Sequence, residues 1–245
     1  MPVTVPVVYS SFSSLLADGR LDISMTRCPK RCGDSRPLRL TSMLRSRGLY
    51  VLTPVTVGQQ TVIELVHVEC ILPLAQCDGC ECLCRVLPAD VHARKQYSLP
   101  AIEHYAGRYF QGDISLRAAV NTLLGEAPAH TTVHAWTEGM GACALGHPAG
   151  EVPNATPAQA IRERLAERQL TGSTPAPQPP PSLLGLRARS AARASRLASG
   201  FVLLALADGA ARRTGPAPAG RLAALNVLIL GYGLLAPLGW RTGLN

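Results

Sequence analysis

Two close pairs of cysteines, Cys28/Cys32 and Cys77/Cys80, constrain this chain more than any other feature. The eight cysteines fall at 28, 32, 70, 77, 80, 82, 84 and 143, five of them within fifteen residues. Disulfide frameworks scatter their cysteines, whereas short-spaced pairs suit a metal. Each pair sits in a turn with glycine at hand, Cys28-Pro-Lys-Arg-Cys32-Gly33 and Cys77-Asp-Gly79-Cys80. Glycine permits the backbone conformations such turns need. Two turns of this kind can supply the four thiolates of a tetrahedral Zn²⁺ site. The expected ligands are Cys28, Cys32, Cys77 and Cys80, with Cys82 and Cys84 as competitors just beyond. Cys70 and Cys143 stand alone and read as structural. A structural zinc can contribute on the order of 10 kcal/mol of folding free energy to a small module. That matters in a chain with only 4% aromatic residues.

Between the pairs the sequence is β-like. Residues 49–57 and 61–68 are rich in Val, Ile, Leu, Thr and Tyr, and Gly58-Gln59-Gln60 separates them as a hairpin turn. A third short strand is expected at 71–76. Ahead of residue 25 the chain reads as an extended lead-in, with any strand there demoted to an edge by Pro2 and Pro6.

After residue 97 the signals become helical. Ser98 is placed to cap a helix from Leu99 to about Phe110, with Pro100 in its first turn. Ser115 is placed to cap a second over 116–124, whose Leu116, Ala119, Val120, Leu123 and Leu124 make one apolar face. Thr131 or Thr132 would cap a third over 131–138, stopped by Gly139. These three helices fit a helix-turn-helix, which lays the N-terminal part of its last helix in the DNA major groove. Thr131, Thr132 and His134 would then face DNA, Arg117 would reach a phosphate, and Val133 and Trp136 would face the core.

In order along the chain, CPKRCG, SRGLYVL, QCDGC, RVLP, QYSLPAI, SLRAAVNTLLG and TTVHAWTEGMG resemble the zinc-ribbon plus helix-turn-helix front end of bacterial insertion-sequence transposases and their short uncharacterised relatives. The resemblance covers roughly residues 26–148. It implies zinc on Cys28, Cys32, Cys77 and Cys80, and double-stranded DNA against Thr131, Thr132 and His134. The first cysteine pair carries one extra residue, and Cys82 and Cys84 are additional. Transposases of this kind continue into a nuclease core with three carboxylates that hold Mg²⁺. After Glu167 this chain offers only Asp208, so no catalytic centre is expected.

The fold class expected is α+β: a lead-in at 1–24, a zinc-ribbon-like β module at 25–90, a helix-turn-helix unit at 91–148 and a helix at 149–170. A proline-rich linker at 171–185 and an Ala/Leu/Arg-rich, partly helical tail at 186–245 follow. The net charge of +8 favours nucleic acid or an anionic surface. It is unevenly placed: residues 1–170 hold 16 basic and 15 acidic groups, while 171–245 hold eight arginines and one acid. The apolar run at 222–240 is long enough for a membrane span but is broken by Asn226, Gly231, Gly233 and Pro237. A helix packed on the body or on a partner is the favoured reading of it, with a membrane span and a disordered or out-of-frame tail as the alternatives. The opening residues lack a basic, apolar leader, so a reducing cytoplasm is the default expectation. A homo-oligomer is compatible with all of this. The rival functions are a protein-binding zinc adaptor and a membrane-anchored protein with a cytosolic zinc module.

Overall fold

A computed structural model describes residues 2–145 apart from 6, 25, 31, 35, 93, 94, 112 and 113, with 142–145 as backbone only. In the tail it describes 179–181, 193, 194, 197, 198, 200, 201, 204, 222 and 223. The helix expected at 149–170 lies outside these residues, as do most of the linker and tail.

The architecture is mixed α+β. Its backbone is a long antiparallel hairpin of β2 (Arg39–Val57) and β3 (Gln60–Gln76). The turn occupies Gly58 and Gln59. Gly58 at φ +63° takes the first of the two turn positions, which a side chain there would disfavour. The strands are longer than the alternation of apolar residues suggests. Residues 39–48 lie ahead of the strand expected at 49–57, and most of them are exposed. They are strand because 39, 40 and 44–48 pair back onto 69–76, with a bulge between Leu40 and Leu44 where Thr41 bonds the Leu74 carbonyl. The short strand expected at 71–76 is therefore the end of β3.

β4 (Leu83–Leu87) pairs antiparallel with the end of β3, and β1 (Pro2–Thr4) lies parallel outside it. The lead-in is more structured than its sequence suggests. It continues into α1 (Tyr9–Ala17), whose Phe12 is fully buried against the sheet. Ser-rich and without a capping side chain, this helix owes its stability to that packing rather than to propensity.

α2 (Leu99–Phe110) starts where expected, with the Ser98 hydroxyl accepting the Ala101 N–H. The segment before it is sewn to the outer edge of β2 by Tyr50 N–H to Gln96 O and Ser98 N–H to Tyr50 O. α3 (Leu116–Val120) also begins at its expected cap, Ser115. It ends four residues early, because Thr122 turns back to bond the Ala119 carbonyl and β5 (Leu124–Gly125) joins the free edge of β3. Leu124 is thereby exposed instead of buried. α4 (His130–Leu145) is twice its expected length and runs straight through Gly139. Val133, Trp136 and Met140 are all buried along one side, and this packing outweighs the cost of a glycine in the helix.

Two hydrophobic cores result. One lies between the sheet and α1 and includes Phe12, Leu49, Leu72 and Val86 with Cys28, Cys70, Cys77 and Cys84. The other gathers Leu65, Ile102, Tyr105, Phe110, Val133, Trp136 and Met140, and is joined by Leu197, Leu204 and Leu222 of the tail. The tail is fixed there by polar contacts as well: the Leu222 N–H donates to Glu103, and Arg193 pairs with Glu138.

Candidate metal centre

The hairpin is what brings the two cysteine pairs together. Its strands fold residues 39 and 76 into register, so the turns just outside them, 28–33 and 77–81, meet at one end of the sheet. The sulfurs of Cys28, Cys32, Cys77 and Cys80 all lie within 4.8 Å of one another. Cys28 and Cys80 are 3.5 Å apart, as are Cys32 and Cys77. A disulfide would need about 2.05 Å. Four thiolates about 2.3 Å from a central ion have sulfur–sulfur edges of about 3.8 Å, and the observed spacing is close to that tetrahedron. These four cysteines can therefore hold a metal ion. Cys28 and Cys77 are buried, Cys80 is half-buried and Cys32 is exposed, so the centre sits at the surface with one side sealed.

The two turns share a backbone device. In the first, Gly33 follows the second cysteine at φ +87°; in the second, Glu81 follows its second cysteine at φ +54°. Glu81 is the one non-glycine residue with positive φ among those described. Its N–H bonds the Cys77 carbonyl, and Cys77 N–H bonds the Cys82 carbonyl, closing the turn. The left-handed residue was thus expected at Gly79 but sits at Glu81. Gly79 is needed for a different reason: a Cβ there would lie 2.7 Å from the Cβ of Asp34.

Asp34 links the turns electrostatically. Its carboxylate accepts from Arg36, which also reaches Asp78 at 3.7 Å, and Asp78 pairs with Arg39. The Arg36 hydrogen bonds hold the Asp34 carboxyl below its ordinary pKa. Sequence reasoning missed this charge pattern, whose members run from position 34 to position 78. Burial opposes ionisation of Cys28, but hydrogen bonds from the Lys30 amide and from neighbouring thiols outweigh it and bring the thiol down to about 6. Burial and hydrogen bonds among the thiols push Cys32 and Cys80 the other way, so Cys28 is the member of this linked set that loses its proton first.

Of the competitors, Cys82 touches Cys28 at 3.6 Å and Cys84 at 3.8 Å, but it falls outside the mutually close set of four. Cys84 is buried in the sheet core opposite Ala75, and Cys70 is buried beside Arg47 on β2.

The residues expected to face DNA lie on α3 and α4, which pack on the helical core. Thr131 is exposed on the first turn of α4, and Thr132 and His134 are half-buried there. Val133 and Trp136 point into the core behind them. Arg117 is exposed on α3. The path from α3 to α4 runs from Asn121 to Ala129 and contains β5. Among the described residues no helix is long and apolar enough to cross a membrane. Comparison with protein-family models, with curated proteins and with solved structures finds no match to this chain.

Proposed function

We propose that this chain is a zinc-dependent DNA-binding protein that resembles the recognition part of a transposase and has no catalytic centre of its own. Zn²⁺ is held by Cys28, Cys32, Cys77 and Cys80. Thr131, Thr132 and His134 read the DNA, and Arg117 contacts a phosphate. The observation that carries the reading is the convergence of four sulfurs within 4.8 Å from turns 45 residues apart. An all-sulfur tetrahedral set favours zinc or an iron–sulfur cluster over hard cations. Zinc is the simpler occupant, since it has no redox chemistry and stabilises small β modules of this size. The DNA half is supported by α4, whose first turn offers polar side chains outward while Val133 and Trp136 anchor it from behind.

A second reading, a zinc adaptor that binds protein, is favoured by the connection between α3 and α4. A helix-turn-helix joins its helices through three or four residues. Here the link is longer and carries a strand. One experiment separates the two. Metal analysis of the purified chain should give one zinc per molecule. Gel shifts with duplex DNA across a salt series should show affinity falling with a log–log slope of about −0.9 per phosphate contacted. Arg117→Ala should lower that slope by about one contact. Binding that is absent, or that ignores salt, would leave the adaptor.

A further inference from the structure

The metal centre has a fifth thiol in contact with it, and the four-ligand arrangement gives that thiol no task. Cys82 lies 3.6 Å from the sulfur of Cys28, almost as close as Cys80 does at 3.5 Å. It is half-buried, outside the mutually close four, and two residues from the buried Cys84. Cys80 and Cys82 flank Glu81, whose left-handed backbone aims both sulfurs at Cys28 from one turn. From that turn Cys28 therefore meets two thiols, one inside the set of four and one outside it.

We infer that Cys82 is the resolving thiol of an oxidation site on Cys28, through which peroxide expels the metal. The inference rests on the zinc reading above. The Cys28 thiolate attacks one oxygen of hydrogen peroxide, forming sulfenic acid and releasing hydroxide, which takes a solvent proton to become water. The oxidised sulfur still holds the ion, weakly, and leaves it altogether only when the disulfide forms. Cys82 then attacks that sulfur, the S–O bond breaks, and the Cys82 proton leaves with the oxygen as a second water. The two sulfurs have lost two electrons to peroxide and are joined as a disulfide. Cys80 is as near, but it is engaged by the ion, whereas Cys82 is off the metal and available at the moment Cys28 lets go. With three thiolates left, zinc is lost, and thiol reduction with added zinc restores the centre.

The test uses the zinc-loaded full chain, treated with hydrogen peroxide, with released zinc read by a chromogenic chelator and disulfides mapped by peptide mass spectrometry. The expected result is zinc release in step with a Cys28–Cys82 link. Cys82→Ser should keep its zinc before oxidation and release it about tenfold more slowly. Cys84→Ser should behave as the unaltered chain. Zinc release from Cys82→Ser at the unaltered rate, or links confined to positions 28, 32, 77 and 80, would overturn the inference. So would a Cys82→Ser protein that folds without zinc, since Cys82 would then be a ligand. Cys82→Ala serves if the serine variant fails to fold, and the link map of the unaltered chain decides the pairing without any variant. A chain purified without zinc would refute the metal reading instead. The same map would still decide the pairing: a Cys28–Cys82 link supports it, and its absence overturns it.

Discussion

The two cores of this protein are built from different materials. Around the sheet and α1 the buried set contains four cysteines and a single aromatic ring, Phe12. Around the helices it contains, among the described residues, Tyr105, Tyr109, Phe110 and Trp136 and no cysteine, with Tyr50, Tyr97 and Phe201 packed at its margin. There the rings form a continuous series: Tyr50 stacks on Tyr97 at 4.6 Å, and Tyr97 meets Trp136 edge-on at 4.9 Å. Aromatic side chains bury large areas and pair with preferred geometry. A chain with only 4% of them can furnish one such core. The other core is closed by a cluster of sulfurs able to take an ion. The difference teaches that an ion on the four sulfurs would stabilise the cysteine side and leave the helical side unaffected, although both lean on the same hairpin.

The sharpest way to break that comparison is to remove the metal. Chelation at neutral pH, or Cys77→Ser, should forfeit on the order of 10 kcal/mol of stabilisation at the cysteine end. Amide exchange should then rise in the two turns, in β4 and in α1, while α2 and α4 keep their protection. Equal loss of protection in α4 would mean that the hairpin couples the cores into one cooperative unit. The converse experiment is Trp136→Ala, which should cost about 3–5 kcal/mol because a fully buried ring is replaced by a cavity. Its effect should fall on denaturant stability, with the zinc stoichiometry unchanged. A Trp136→Ala chain that cannot retain zinc would again join what the comparison separates.

The same contrast decides what was legible in the sequence. Ser98 and Ser115 announced their helices because a cap acts through its immediate neighbours. The cysteine turns were visible because metal ligands must be close in sequence within each pair. The Gly58 turn was visible because only a few residues tolerate its backbone. What escaped was decided by partners far away. Residues 39–48 are strand because 69–76 lie beside them. α3 stops because Leu124 and Gly125 find the free edge of β3. α4 passes through Gly139 because Trp136 and Met140 are buried together on the helical core. Leu197, Leu204 and Leu222 join that core from a tail whose composition reads as low complexity.

Asp90 offers an intermediate effect, because it lies at the junction of the sheet and α2. Its carboxylate accepts the Tyr9 N–H at 2.8 Å, and its carbonyl accepts the Leu99 N–H. Burial raises its pKa to about 6. The folded chain therefore holds this proton up to about pH 6, whereas the unfolded chain releases it near pH 4. Stability contributed by the neutral form is present below pH 4 and is lost as pH rises toward 6, at a cost of about 3 kcal/mol in full. Asp90→Asn keeps an acceptor for Tyr9 and removes the charge. In urea unfolding of the zinc-loaded proteins, its advantage over the unaltered chain should grow by roughly 1 kcal/mol between pH 5.5 and 7.5. A pH-independent difference would show that the carboxylate is not desolvated at this junction.

The smallest effect tests the cysteine turns against each other. Gly33 and Glu81 occupy equivalent places, each directly after the second cysteine of its pair and each in the left-handed region. Glycine enters that region freely, whereas a residue with a Cβ does so at a cost of about 1–2 kcal/mol. Glu81→Gly should relieve that cost but lose some unfolded-state restriction, for a net gain of about 0.5–1 kcal/mol. Gly33→Ala should destabilise by a similar amount even though its Cβ would meet nothing within 4 Å, because the penalty lies in the backbone. Both shifts should be read by denaturant unfolding of the zinc-loaded chain and repeated after chelation. If the turns exist as such only around the ion, each substitution loses its effect once the metal is gone. If the shifts persist in the metal-free protein, the hairpin alone shapes the turns, and the cysteine core is less dependent on its metal than its poverty in aromatic residues implies.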